Sequence, residues 1–181
     1  MTLDGVMEDP GGAEKFEHGG WTMPYWHEEI GKVKFDELFA CDALLLGRVT
    51  YQGFAAAWPS RTDEAGFADR MNSLPKYVVS TTLEEVEWNN ARLIKGNIVE
   101  EISRLKQQPG QDILIAGSGE LVQTLMQHDL INGYRLLVYP VVLGSGKRLF
   151  KDGSKRTLRL VETRTFPSGV VLLYYEPANK L

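Results

Sequence analysis

Three short apolar runs constrain what this chain can fold into. Ala43-Leu44-Leu45-Leu46, Tyr77-Val78-Val79 and Ile113-Leu114-Ile115-Ala116 stop abruptly on small or hydroxyl-bearing residues: Gly47, Ser80-Thr81-Thr82 and Gly117-Ser118-Gly119. Runs this short and this apolar suit buried strands, not half-exposed alternating ones. Helical spacing follows the first and third. Arg48 to Trp58 reads as a helix ended before Pro59, because the residue preceding a proline disfavours the α conformation. Glu120 to His128 places Leu121, Leu125 and Met126 on one side. Gly31 to Phe39 and Ile98 to Gln107 carry the same period, the second stopped by Pro109-Gly110, and the polar stretch Arg61 to Asn72 holds a short helix. Ile113 to Ala116 reads as the clearest buried strand.

Arg92-Leu93-Ile94 and Arg135 to Tyr139 add two strands, and Thr157 to Thr165 and Val170 to Tyr175 flank the turn signal Phe166-Pro167-Ser168-Gly169. Strand and helix alternate, then a hairpin closes the chain. That order predicts an α/β fold: a mostly parallel twisted sheet, helices on both faces and an antiparallel C-terminal hairpin.

A length of 181 residues suits a single domain spanning 1–181 around one core. The net charge of −4 gives no broad attraction to nucleic acid or an anionic membrane, so neither is an expected partner. No basic segment followed by an apolar run opens the sequence, which predicts a cytoplasmic location. The lone Cys41 lies in an apolar stretch and reads as a small buried hydrophobe. His18, His27 and His128 are scattered, so no metal is expected.

The chemistry concentrates at the strand ends. Open α/β sheets bind ligands beyond the carboxyl ends of their strands. Gly47-Arg48-Val49-Thr50 places a guanidinium and a hydroxyl at a helix start, where free N–H groups and the dipole favour an anion, although a glycine turn with a capping threonine reads equally well. Ser80-Thr81-Thr82 offers hydroxyls, or an ordinary cap. Gly117-Ser118-Gly119 lets backbone approach a pyrophosphate, or makes a tight turn; with Val at 122 it is not the full dinucleotide fingerprint. Parallel strands bring all three to one edge, and a dinucleotide has enough phosphates and hydroxyls to use them together.

Leu3-Asp4-Gly5-Val6, Leu45-Leu46-Gly47-Arg48-Val49-Thr50-Tyr51, Tyr77-Val78-Val79-Ser80-Thr81, Ile113-Leu114-Ile115-Ala116-Gly117-Ser118-Gly119-Glu120-Leu121 and Leu137-Val138-Tyr139-Pro140-Val141-Val142-Leu143-Gly144 occur in this order. Together they resemble the dihydrofolate-reductase-like proteins related to the C-terminal reductase domain of the bifunctional riboflavin-biosynthesis deaminase-reductase. The resemblance implies the three-layer dihydrofolate-reductase-like fold, NADPH as cofactor, and hydride transfer to a C=N or C=O carbon of a small pterin-like or ribosylaminopyrimidine-like substrate. It places Gly47, Arg48 and Thr50 at the cofactor phosphates, Ser80 and Thr81 at the adenosine ribose and 2′-phosphate, and Gly117, Ser118, Gly119, Glu120 and Leu121 around the pyrophosphate and nicotinamide. It also implies a homodimer, and a cis bond between Gly117 and Ser118.

The sequence departs from that pattern at three points. Glu120 stands where a basic residue is common. Trp26-His27-Glu28-Glu29 offers no single acid to hold a pterin. The family usually has an apolar strand ahead of Leu3-Asp4-Gly5, and this sequence starts two residues before that motif, so either the start is misassigned or the fold lacks that strand. No zinc-deaminase ligands are present. A dinucleotide- or pterin-binding oligomer without turnover, and a true dihydrofolate reductase, are the alternative readings. Asp4 is the candidate catalytic residue, as a substrate-orienting carboxylate or a turn-forming Asp before Gly5. Trp21, Tyr25, Trp26 and Trp58 form either a stacking surface or core, Lys147 and Arg148 a phosphate contact or a solvated loop, and Tyr51 core.

Overall fold

The computed structural model describes residues 1–178. The chain divides into two compact units, Lys32–Leu121 and the remainder. None of its helices is long and apolar enough to cross a membrane, among the described residues.

The Lys32–Leu121 unit holds the greater part of α1 (Glu28–Phe39), then β1 (Cys41–Gly47), α2 (Arg48–Ala57), α3 (Phe67–Ser73), β2 (Lys76–Val79), β3 (Ala91–Ile94), α4 (Ile98–Lys106), β4 (Asp112–Ile115) and the start of α5 (Gly119–Gln127). Its four strands form a parallel sheet in the order β3-β2-β1-β4. The Leu44–Leu46 run is buried throughout, as an interior strand covered on both faces must be. Leu44, Leu46 and Val78 pack on Leu38, Tyr51, Met71, Leu74 and Trp88 to make this unit's core. The Ile113–Ala116 run is a correction: β4 lies at the sheet's end and is only half-buried. An apolar run reports strand formation, not position within a sheet.

Helix boundaries follow local chemistry. Asn97 caps α4 by accepting the Glu100 N–H, and Glu100 and Glu101 at its start oppose Arg104 and Lys106 at its end, matching the helix dipole. The Trp58 N–H bonds Phe54 O to finish α2 before Pro59.

The other unit is built on an antiparallel sheet of β5 (Tyr134–Val138), β6 (Leu158–Thr165) and β7 (Val171–Pro177), ordered β5-β7-β6. The C-terminal hairpin is present, and β5 joins it rather than the parallel sheet. The Leu3-Asp4-Gly5 segment is a turn: the Gly5 N–H bonds Thr2 O at 3.0 Å, the Thr2 N–H bonds Val6 O at 2.9 Å, and Gly5 adopts φ +81°, the left-handed region glycine tolerates. Ahead of that turn, Thr2 makes a parallel bridge to Tyr139, so the residues before Leu3 lie beside the end of β5.

Candidate functional site

The strand register assembles the site. In the parallel ladders Gly47 pairs with Val79, and Val79 with Ile94. Arg48, Ser80 and Lys95 therefore each stand one residue past the same rung, at three adjacent carboxyl ends. Leu45 pairs with Ile115 at the last rung of that ladder, and the Gly117 turn beyond it meets Gly47, whose N–H bonds Ser118 Oγ at 2.9 Å. All ten residues read from the sequence as cofactor-binding — Gly47, Arg48, Thr50, Ser80, Thr81 and Gly117 through Leu121 — belong to this one unit.

The first turn is open to a ligand. Gly47 is the N-cap of α2 and supplies no side-chain cap, so the first N–H groups of that helix keep the orientation that suits an anion. Arg48 is exposed, and its Nη1 donates to the neutral Gln52 at 3.1 Å, one helical turn on. A neutral partner on a solvated surface gives way readily to a phosphate.

The second turn is more committed. Ser80 is buried, and its Oγ accepts the N–H groups of Thr82 at 3.1 Å and Leu83 at 3.0 Å. These bonds close a turn after β2, and no helix begins there. Thr81 is exposed beside it. Lys95, which the sequence reading passed over, adds a cation next to them: the Ser80 N–H bonds Ile94 O at 3.2 Å, and Lys95 Nζ pairs with Glu84 at 2.9 Å. The missed signal was positional, since a lysine directly after a strand reaches the carboxyl edge that Arg48 marks.

At the third turn Gly117 and Ser118 both adopt φ +58°. The bond between them is trans, which corrects the expected cis geometry. A Cβ on Gly117 would lie 3.4 Å from Thr50 Oγ1, and one on Gly47 would lie 3.4 Å from Ser118 Oγ. The first and third turns are in van der Waals contact. Glu120 is exposed in the first turn of α5, where its charge favours the helix and disfavours a nearby phosphate.

Asp4 belongs to the other unit, and its carboxylate is fully engaged. It accepts from Thr2 Oγ1 at 2.6 Å, Gly144 N at 2.8 Å and Leu143 N at 3.3 Å, with Arg148 3.8 Å away. The Thr2 hydroxyl and the Gly144 amide hold its pKa down at about 2. A carboxylate so held is ionised at neutral pH and cannot deliver a proton.

The sequence matches the RibD C-terminal domain family over residues 1–172. The chain belongs to that family. It is 36% identical over 179 residues to the uncharacterized protein YyaP of Bacillus subtilis, covering 97% of this chain and 90% of that protein. YwjB of the same organism, also uncharacterized, is 34% identical over 134 residues, covering 74% of this chain and 72% of its own. Among solved structures, a protein of Shewanella sp. PV-4 assigned to riboflavin biosynthesis superposes with a TM-score of 0.68 at 21% identity, covering 99% of this chain and 96% of that one. The diaminohydroxyphosphoribosylaminopyrimidine deaminase/5-amino-6-(5-phosphoribosylamino)uracil reductase of Thermotoga maritima superposes at 0.63 with 15% identity, over 98% of this chain and 54% of that one. The dihydrofolate-reductase-like fold is thereby shown, and a reductase-like role is supported.

In this RibD C-terminal domain the remaining candidates divide cleanly. Trp21 is buried, donates Nε1–H to Glu8 O at 2.9 Å and meets Tyr139 edge-on. Tyr25 also packs edge-on against Tyr139, and Trp58 packs with Phe54 and Phe67. These are core contacts; Trp26 alone of the four is exposed. Lys147 and Arg148 are paired with Glu8 and Asp4. Tyr51 is core as read, and its hydroxyl also accepts the Glu87 and Trp88 N–H groups. Burial raises the Cys41 thiol, whose Sγ lies 3.3 Å from Leu38 O.

Proposed function

We propose that this RibD C-terminal domain is an NADPH-dependent reductase acting on a C=N or C=O carbon of a small pterin-like or ribosylaminopyrimidine-like molecule. The observation that carries the reading is the register itself: Arg48, Ser80 and Lys95 at one level on three neighbouring strand ends, with the Gly117–Ser118 turn bonded to Gly47 beside them. Adjacent strands stand about 4.8 Å apart, so the first three span roughly 10 Å, a scale suited to a phosphorylated ribose. The residues fit a dinucleotide. The uncapped start of α2 and Thr50 take the backbone phosphates, Arg48 and Lys95 flank the 2′-phosphate, Thr81 meets the ribose, and the turn from Gly117 to Leu121 receives the pyrophosphate and nicotinamide end.

A bound reduced nicotinamide supplies the hydride. The chain's own groups bind, orient and neutralise charge. Asp4, ionised and saturated with donors, fixes the Leu143–Gly144 segment and has no proton to give, so ordered water is the proton source for a C=N substrate.

NADPH consumption followed spectrophotometrically against dihydropterins, dihydrofolate and ribosylaminopyrimidines tests this. Oxidation that depends on one pterin-like or pyrimidine-like compound is the expected result. Saturable NADPH binding with no turnover of any compound would identify a dinucleotide-binding protein instead. Preferred turnover of dihydrofolate would identify a dihydrofolate reductase.

A further inference from the structure

Gly47 and Ser118 are far apart in sequence and joined by one hydroxyl. Ser118 Oγ accepts the Gly47 N–H at 2.9 Å and lies 3.1 Å from both Thr50 Oγ1 and Ala116 O. A serine hydroxyl has one proton to donate and two lone pairs. The amide of Gly47 takes one lone pair, and the proton serves Thr50 or Ala116 in turn. Little capacity remains for a ligand.

We infer that Ser118 is a positioning residue that clamps the β1–α2 turn to the β4–α5 turn, setting the spacing of the two anion-binding loops without itself being a ligand. The inference rests on the dinucleotide reading of these turns. The backbone supports it: Ser118 holds φ +58°, a left-handed conformation that costs a non-glycine residue energy. Glycine would hold the same conformation more easily but carries no hydroxyl. If only the turn's shape mattered, serine would be the poorer choice. The close approach at Gly47 and Gly117 gives the clamp its short reach.

Ser118→Ala and Ser118→Gly separate the hydroxyl from the backbone conformation. Both remove the clamp, while only glycine relieves the left-handed strain. The expected pattern is a loss of NADPH affinity of about tenfold in both variants, the scale of one or two lost neutral hydrogen bonds. The melting temperature should be higher for Ser118→Gly than for Ser118→Ala, so stability and affinity do not run together. Hydrogen exchange at the Gly47 amide, measured without ligand, is the independent readout: protection in the wild type, lost in both variants. NADPH affinity restored to wild type in Ser118→Gly would overturn the inference, because it would make conformation the whole role. An unprotected Gly47 amide in the wild type would overturn it too. Failure of the wild type to bind NADPH, with Gly47 protection behaving as expected, would count against the dinucleotide reading and leave the clamp standing.

Discussion

Lys76→Met should cost more stability than a substitution at an exposed lysine. Lys76 is fully buried, yet none of its partners is an acid. Its ammonium donates to Asn72 O at 2.9 Å, Leu74 O at 2.8 Å and Asn89 O at 3.0 Å, and sits 4.2 Å from the centroid of the Trp88 ring. Two of those carbonyls lie at the end of α3, where helix carbonyls lack intrahelical donors. The third comes from the segment leading into β3. One side chain thus ties a helix end to the strand pair beside it.

Methionine fills much of the same volume and donates nothing. A buried acceptor left without its donor costs about 1–3 kcal/mol. Only the Leu74 bond is deeply buried; water can reach the other two in part. Loss of the cation–π contact adds about 0.5–2 kcal/mol, and the relief of not burying a charge offsets some of the total. The net expectation is about 1–2 kcal/mol, which for a chain of this size lowers the melting temperature by roughly 2–8 °C. Urea denaturation followed by tryptophan fluorescence measures it, with Trp88 reporting locally.

The pH dependence gives a second handle. Burial pushes the Lys76 pKa down to about 8, below its unfolded value near 10.4. Between these values the unfolded chain holds a proton that the folded one has released. Lys76 therefore makes stability rise with pH across that window, and the methionine variant should lack this increment. A variant within about 0.5 kcal/mol of wild type at neutral pH would refute the reasoning, since exposed substitutions typically cost that little.

Asp4 titrates with the same sign at the acid end, because its pKa too is lower in the folded chain. Its folded pKa of about 2 lies below the unfolded value, so its contribution is present above about pH 4 and fades as the pH falls toward 2. Amide exchange at Leu143 and Gly144 should show that loss of protection, and Asp4→Asn should show weak protection throughout. The chain should be a homodimer: β6 is exposed along most of its length, including Leu160 and Val161, and Trp26 is exposed nearby in sequence to α1. Light scattering at micromolar concentration should return twice the chain mass, and a monomer would count against it.

The elements were legible in the sequence because each carries its own period or stop. The β1 run, the Pro59 stop and the Phe166–Gly169 turn needed no tertiary information. What was hidden depends on pairing across distance. The sheet order that leaves β4 at an end, and the transfer of β5 to the hairpin's sheet, arise from strand partners that no local pattern names. The site divided in the same way. Gly47, Arg48 and the Gly117–Leu121 turn announce themselves by residue type at a strand end. Lys95 acquires meaning only once β3 is in register with β2, and Lys76, which directly precedes the Tyr77 run, acquires its role only through Trp88 and three carbonyls. The Ser80 hydroxyl was read two ways, and its engagement with the Thr82 and Leu83 amides in a turn is visible only in the folded chain.

The central claim is that the carboxyl edge of the parallel sheet holds NADPH and uses Arg48 to recognise its 2′-phosphate. Titration of NADPH and NADH into the wild type and Arg48→Ala, with a melting curve for each protein, tests it most directly. A charge-assisted contact is worth about 1.5–3 kcal/mol, so Arg48→Ala should weaken NADPH binding by roughly ten- to a hundredfold. NADH, which lacks the 2′-phosphate, should bind the wild type more weakly and change little in the variant, and the melting curve should stay where it was, since the Arg48 side chain is exposed. Equal affinities for the two cofactors in the wild type, or unchanged NADPH affinity in a well-folded Arg48→Ala protein, would contradict the account.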